Sequence, residues 1–132
     1  MSFTREMLAS HPGSLDADAT ARCIDDCLAC AQSCTACADA CVGEDSVASL
    51  RRCITACLTC ADVCETTART VSRTTEPDPA LARAVLEACI ASCGACGAEC
   101  ARHGAMGMAH CEVCARACAQ CEASCRALLA LL

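Results

Sequence analysis

Residues 23–41 read CIDDCLACAQSCTACADAC, and successive cysteines in this stretch are separated alternately by four and three positions. This alternation is the heptad rhythm of a helix core, which places side chains three and four residues apart on one helix face. Three later stretches keep the same rhythm, so the sequence predicts four helices that each carry a stripe of thiols. The four runs are Cys23, Cys27, Cys30, Cys34, Cys37, Cys41; Cys53, Cys57, Cys60, Cys64; Cys89, Cys93, Cys96, Cys100; and Cys111, Cys114, Cys118, Cys121, Cys125.

Breaks between the runs define an all-α fold, an antiparallel up-down-up-down four-helix bundle with a cysteine-lined core. The chain of 132 residues is expected to form a single domain, 1–132. Its N-terminal arm, residues 1–14, includes a short helical segment in which Phe3, Met7 and Leu8 form an apolar face. The predicted helices span residues 16–42, 46–72, 78–103 and 106–131.

Capping residues set the expected helix ends. Gly43 is predicted to be a left-handed C-cap of the first long helix, and Gly104 to cap the third. Oxygen-bearing side chains before each helix can accept backbone N–H bonds at its start. The predicted N-caps are Asp16 or Asp18, Asp45 or Ser46, and Asp78, which is followed by Pro79.

Charge and composition argue against several classes of partner. The chain has ten basic residues, sixteen acidic residues and a net charge of −6, so neither nucleic acid nor an anionic membrane surface is an expected partner. Phe3 is the one aromatic residue, which leaves no platform for base stacking. No stretch approaches the ~18 uncharged apolar residues of a membrane span.

The thiols are expected to be reduced, in a cytoplasmic protein. The N-terminus lacks the long apolar core of a signal peptide, and the nineteen cysteines cannot all pair. Neighbours at helical spacing have Cβ atoms roughly 5–6 Å apart, whereas a disulfide needs about 3.5–4.5 Å. Reduced cytosolic thiols are therefore the better interpretation.

Clustered thiolates bind soft metals, namely Cu(I), Zn(II) or iron in clusters. Iron–sulfur motifs use consecutive two-residue spacers, which are missing from all four runs. Zn(II) in a four-cysteine site leaves a buried charge of −2, whereas one Cu(I) per thiolate is neutral. We therefore expect a store of about one Cu(I) per cysteine and no enzymatic activity. A zinc or general metal buffer and a thiol redox or ferredoxin-like electron-transfer protein remain the alternatives.

The two ends of the bundle are predicted to differ. One end is expected to form an apolar plug, made of Val71, Leu81, Leu86, Leu128 and Leu132. The other end carries the candidate entrance ligands, which are His103, Met106, Met108 and His110. His103 continues the stripe of Cys100 and should face the mouth of the core, while His110 adjoins Cys111. Imidazole and thioether groups suit transfer of Cu(I) inward.

The four phased runs, together with His103 and His110, resemble the bacterial cytosolic copper storage proteins over residues 16–132. That family has also been labelled four-helix bundle copper-binding or cysteine-rich ferredoxin-like. The resemblance implies Cu(I) held by core thiolates, an entrance that contains histidine, and a homotetramer. It also implies the cytosolic branch of the family, because exported relatives carry a signal peptide. Copper donor and acceptor proteins stay unassigned.

Overall fold

The structure is a computed structural model that describes residues 2–11 and 13–132. A short helix, α1 (Thr4–Ala9), precedes four long helices: α2 (Ala17–Val42), α3 (Arg51–Val71), α4 (Pro79–Gly104) and α5 (Ala109–Leu129). A 3-10 turn, Val47–Leu50, leads into α3. The predicted all-α four-helix bundle is confirmed.

Sulfur contacts show that neighbouring helices run antiparallel. Cys23 lies 3.7 Å from Cys125 at one end of the α2–α5 pair, whereas Cys37 lies 3.8 Å from Cys111 towards the other. In the α3–α4 pair, Cys64 Sγ lies 3.8 Å from Cys89 Sγ, and Cys57 Sγ lies 3.6 Å from Cys100 Sγ. In the α2–α3 pair, Cys41 Sγ lies 3.9 Å from Cys53 Sγ, and Cys30 Sγ lies within 4.8 Å of Cys60 Sγ further along both helices. The helices therefore follow the predicted up-down-up-down order.

Two of the predicted N-caps are present. The Asp16 carboxylate accepts a 2.8 Å hydrogen bond from the Ala19 backbone N–H at the start of α2. At α4, Asp78 accepts a 3.1 Å bond from Leu81 N–H, with Pro79 in the first turn. The prediction of Asp45 or Ser46 as the cap of the second long helix is wrong, because the N-cap of α3 is Leu50. Ser46 precedes the 3-10 turn and makes no side-chain cap bond.

The glycines end the helices differently from the prediction. Gly43 follows α2 with φ −79°, a right-handed conformation, because its N–H still bonds to the Asp39 and Ala40 carbonyls. Gly104 is the last helical residue of α4 rather than its left-handed cap. The left-handed position is Gly107, with φ 95°, in the turn that delays the start of α5 to Ala109.

The core is a column of sulfur closed at one end by aliphatic side chains. All nineteen cysteines are buried, and Val71, Leu86 and Leu128 are fully buried beyond the last of them. Leu81 was predicted to belong to this plug but is 53% exposed, because Ala82 occupies the stripe position one turn before Leu86. Leu132 is half-buried and packs against the core.

The N-terminal arm is fastened to the outside of α2. Thr4 Oγ1 donates a 2.6 Å hydrogen bond to Asp25, and Arg5 forms a 2.8 Å ion pair with Asp18. Leu8 packs against the core, whereas Phe3 and Met7 are exposed. The arm therefore covers part of the bundle and leaves an apolar surface outward.

Of the described residues, α4 is the one helix that length and composition would allow to cross a membrane. The sequence expectation concerned an uncharged run of ~18 apolar residues, and α4 contains none because Arg83, Glu87 and Glu99 interrupt it. Alanine and cysteine account for the high hydropathy, and the sequence criterion had required an uncharged run. The cysteines of α4 face the sulfur column, where they are buried.

Close packing of α4 on α5 generates a stability prediction. A Cβ at Gly104 would lie 3.0 Å from the Glu112 backbone, so Gly104→Ala should overpack the helix pair and cost about 1–3 kcal/mol. A Cβ at Gly94 would lie 3.4 Å from the flexible end of Glu122. Gly94→Ala, the control, should be neutral or stabilising by up to about 1 kcal/mol. Urea unfolding of reduced, metal-free protein, followed by circular dichroism, measures both; equal effects would contradict the packing argument.

Candidate metal centre

The thiols form one connected column rather than a set of isolated pairs. Every cysteine is free. Close Sγ–Sγ contacts between helices range from 3.6 Å for Cys27 and Cys121 to 4.0 Å for Cys57 and Cys114. Because the contacts cross between helices, the heptad stripes converge on a common axis. A soft metal ion anywhere along this axis would have several sulfur ligands within reach.

Groups of four ligand atoms within 4.8 Å of one another occur along the column. Successive groups share members: Cys34 and Cys118 belong to two groups each, as do Cys30 and Cys121. The groups therefore overlap instead of dividing the thiols into closed sites. They include Cys27, Cys89, Cys121, Cys125; Cys30, Cys64, Cys93, Cys121; Cys30, Cys34, Cys60, Cys118; Cys34, Cys96, Cys114, Cys118; and Cys37, Cys41, His110, Cys111.

His110 is the histidine that the structure brings to the thiols. Its Nδ1 lies 3.4 Å from Cys37 Sγ and 3.5 Å from Cys111 Sγ. Its Nε2 lies 3.0 Å from the Glu44 carboxylate. A carboxylate that accepts the N–H of one ring nitrogen fixes the ring and leaves the other nitrogen for a metal, as is common for histidine ligands.

Thiol acidity differs at the end of the column opposite the plug, which is called the mouth. Cys53 lies there beside the group of Cys37, Cys41, His110 and Cys111. Burial raises the pKa of Cys41 to about 12 and also raises the pKa values of Cys53 and Cys111. Hydrogen bonding with Cys100, and also with His110, lowers the pKa of Cys37 to about 5. Among these thiols Cys37 therefore loses its proton most readily, and the deprotonated form of cysteine is the one that binds metal.

The pKa of His110 results from opposing effects. Burial on its own lowers this pKa, but hydrogen bonds with Cys37 and Glu44 outweigh burial, so the net pKa lies above its ordinary value. These two hydrogen bonds therefore favour a proton on the ring. A metal ion bound at Nδ1 would replace that proton.

His103 occupies a different environment from the one expected. It does continue the α4 stripe and is largely buried, but its hydrogen bond in the described part of the chain is to Glu99, at 2.9 Å from Nε2. Glu99 also pairs with Arg102 at 2.6 Å and with Arg52 at 3.4 Å. The structure therefore places His103 in an ionic cluster on the α3–α4 side of the mouth.

The two methionines lie on either side of the turn before α5. Met106 is 70% exposed at the tip of this turn. Met108 is half-buried against the core, and its backbone carbonyl accepts the N–H of Cys111 and of Glu112. The turn thus presents the Met106 thioether to solvent, three residues after His103, and uses the Met108 carbonyl at the start of α5.

Sequence reasoning missed Glu99 and Glu44, the carboxylates that orient the two histidines. Glu99 precedes His103 by four residues on the same helix, and this spacing is a signal for contact that the sequence contains. Glu44 has no comparable signal, because it lies in the loop after α2 and meets His110 across 66 positions of sequence.

A helical bundle with a buried column of free thiols, and with a carboxylate-bound histidine in contact with two of them, defines a protein that can hold many soft metal ions. The family profile described as copper storage protein matches residues 16–130. The chain therefore belongs to the copper storage protein family, and its function is copper storage. No curated protein sequence gives a significant match.

Solved structures of Ccsp, from Streptomyces lividans, are similar over most of the chain. Ccsp loaded with 10 copper equivalents is 52% identical and superposes with a TM-score of 0.94, covering 98% of this chain and 99% of that chain. A Ccsp variant with one histidine replaced by alanine is 55% identical, with a TM-score of 0.86 over 90% and 98% of the two chains. A five-copper structure, described as a cytosolic copper storage protein, is 56% identical, with a TM-score of 0.84 over 87% and 95%.

The cluster around Glu99 generates a second stability prediction. Glu99→Gln removes the negative charge of a largely buried carboxylate that pairs with Arg102 and His103. This change should lower the free energy of unfolding by about 1–2 kcal/mol. The control is Glu112→Gln, whose exposed ion pair with Arg116 is worth about 0–1 kcal/mol. Urea unfolding of the metal-free protein measures both variants. A loss no larger for Glu99→Gln than for Glu112→Gln would show that burial adds nothing to this cluster.

Proposed function

We propose that the chain stores copper as Cu(I), at about one ion per cysteine, in the cytosol and without catalysing a reaction. The observation that carries the proposal is the continuous column of nineteen buried, free thiols. A redox enzyme needs an exposed, reactive thiolate, and these side chains are closed off from solvent. Binding is the activity that such an arrangement supports.

Charge favours Cu(I) as the stored ion. When Cu(I) binds a thiol, an S–H bond breaks, a Cu–S bond forms and one proton leaves, so a monovalent ion leaves the interior neutral. A divalent ion held by four thiolates would leave two uncompensated negative charges at each site. The described basic residues lie outside the sulfur column and do not supply that compensation.

His110 is the proposed entrance ligand, acting through Nδ1. That atom lies against Cys37 and Cys111, and the Glu44 carboxylate holds the ring by Nε2. An ion bound to His110 would pass directly to Cys37, the most acidic thiol of the mouth group. It would keep a nitrogen or sulfur ligand throughout this transfer. The proposed site consists of His110 and the nineteen cysteines.

The remaining predicted ligands are assigned lesser roles. Met106, exposed beside the mouth, offers a thioether for a first, weak contact with Cu(I). His103 offers Nδ1, since Glu99 engages Nε2. Met108 is proposed to position Cys111 through its backbone and, through its thioether, to serve as a reserve ligand.

Shared ligands provide a route inward. Successive groups share the residues Cys34, Cys118, Cys30 and Cys121. An ion can therefore bind a ligand of the next group before it releases a ligand of the group it is leaving. Such exchange avoids an intermediate in which Cu(I) is bare in an apolar interior, which would be costly. Copper would fill the column from the mouth towards the plug.

The proposed assembly is a homotetramer, as the family resemblance implies. Exposed apolar side chains on the arm and on α2 support self-association: Phe3, Met7 and Leu28 border one cavity of about 380 Å³ on the outside of the bundle. Burying such a surface between copies would be favourable. This face lies on the flank of the bundle and would leave the mouth open.

Copper capacity is the first test of the proposal. An anaerobic titration of reduced protein with Cu(I), against a competing chelator, should reach about nineteen equivalents, because neutrality is complete at one ion per thiolate. A parallel titration with Zn(II) should saturate at far fewer equivalents. Saturation with Cu(I) at one to four equivalents would rule out storage, and equal capacity for both metals would favour a general metal buffer.

The entrance is the second test. His110→Ala should slow uptake of the first equivalents about 10-fold, the size of effect seen when groups around a metal site are removed, while total capacity stays within about one ion. His11→Ala is the matched control, because it also removes an imidazole, but the His11 ring contacts Ser10 and Thr74 rather than the cysteines of the column. Stopped-flow absorbance of the forming Cu–thiolate bonds measures both. Unchanged uptake by His110→Ala would remove this residue from the entrance.

A further inference from the structure

A small cavity with both polar and apolar walls lies at the plugged end of the bundle, beneath the N-terminal arm. Its volume is about 160 Å³, several times what one water molecule needs. The arm and the start of α2 form most of its wall, and Thr74, from the α3–α4 loop, completes it. The lining residues are Leu8, Gly13, Leu15, Ala17, Thr20 and Thr74.

The Thr20 hydroxyl is the unusual group in this cavity. Thr20 is 1% exposed, and its Oγ1 makes no hydrogen bond within the described part of the chain. Four other helical threonines donate to the carbonyl four residues earlier, namely Thr35, Thr66, Thr67 and Thr70. Thr20 does not follow them, so its hydroxyl stays available to the cavity that it lines. A buried hydroxyl without a partner is unfavourable.

Thr74 supplies a second hydroxyl to the same cavity. It is 4% exposed, and its Oγ1 lies 3.4 Å from His11 Nε2, a long contact that leaves hydrogen-bonding capacity unused. Two buried hydroxyl groups that face a space of this size meet the usual requirement for ordered water.

Thr20 is also the next position of the sulfur column. It precedes Cys23 by three residues, the same spacing that joins Cys27 to Cys30, so both side chains lie on one face of α2. On the other three helices the column ends on groups that need no water. These are Leu86, Leu128 and Thr67, whose hydroxyl donates a 2.8 Å bond to the Val63 carbonyl.

We infer that this cavity holds ordered water and that the water receives protons displaced from the deepest thiols when copper binds there. Each Cu(I) bound at Cys23 or Cys125 breaks an S–H bond and forms a Cu–S bond, and the proton must reach solvent. By the time these ions arrive, copper occupies the column between them and the mouth. Water bound at Thr20 offers these protons an exit at the plugged end of the bundle. This inference rests on the proposed storage of Cu(I).

The water itself is tested without copper. In reduced, metal-free protein, NMR should show cross-relaxation between Thr20 and long-lived water. That signal should persist in Thr20→Ser, which keeps the hydroxyl, and vanish in Thr20→Val, which has nearly the same shape. A wild-type protein with no such water would overturn the inference, whatever the copper capacity.

The exit is tested by the kinetics of proton release. A pH indicator in a stopped-flow loading experiment should show the last few equivalents releasing protons at least about threefold more slowly in Thr20→Val than in wild type. Thr20→Ser should match wild type, and so should Thr67→Val, the control at a buried hydroxyl that is already bonded. Equal slowing by Thr67→Val, or none by Thr20→Val, would overturn the inference. A wild-type capacity of only a few ions would instead reject the proposed storage of Cu(I), and the water signal would be unaffected.

Discussion

Electrical neutrality is the constraint on which this bundle depends. Nineteen sulfur atoms lie within contact distance of one another in an interior that solvent does not reach, and they can stay there only as thiols or as neutral metal thiolates. Charged groups accordingly lie at the ends and on the outside. Glu99 is the most buried of them, and it is surrounded by Arg52, Arg102 and His103. Aliphatic side chains close the opposite end, where no metal ion needs to pass.

A core of cysteine and alanine is a weak source of folding energy, because each position buries fewer methylene groups than leucine would. The structure offsets this deficit locally. Asp16 and Asp78 cap two helix starts, and Val71, Leu86 and Leu128 form a dense plug. Small residues let α4 and α5 approach closely. A framework held in these ways keeps the thiols in register before any metal arrives.

The fold could be predicted from the sequence because the heptad spacing of cysteine is unbroken on all four helices. The N-capping residues Asp16 and Asp78 also marked where two of the helices begin. The mouth was less readable. His103 fits the stripe, yet it bonds to Glu99, whereas His110 lies off the stripe and reaches the thiols from the flank. Glu44 and Thr20 matter through contacts across the chain or into a cavity, and a pattern within one helix does not encode these.

If copper enters and leaves the column only at the mouth, as proposed, every departing ion passes through the outermost group. The rate of escape is then set by the ligands of the outermost group, Cys37, Cys41, His110 and Cys111, and not by the average strength of all the sites. Because the column is proposed to fill from this end, the group would be occupied in partly filled and in full molecules alike. The rate of release would then depend little on how full the store is.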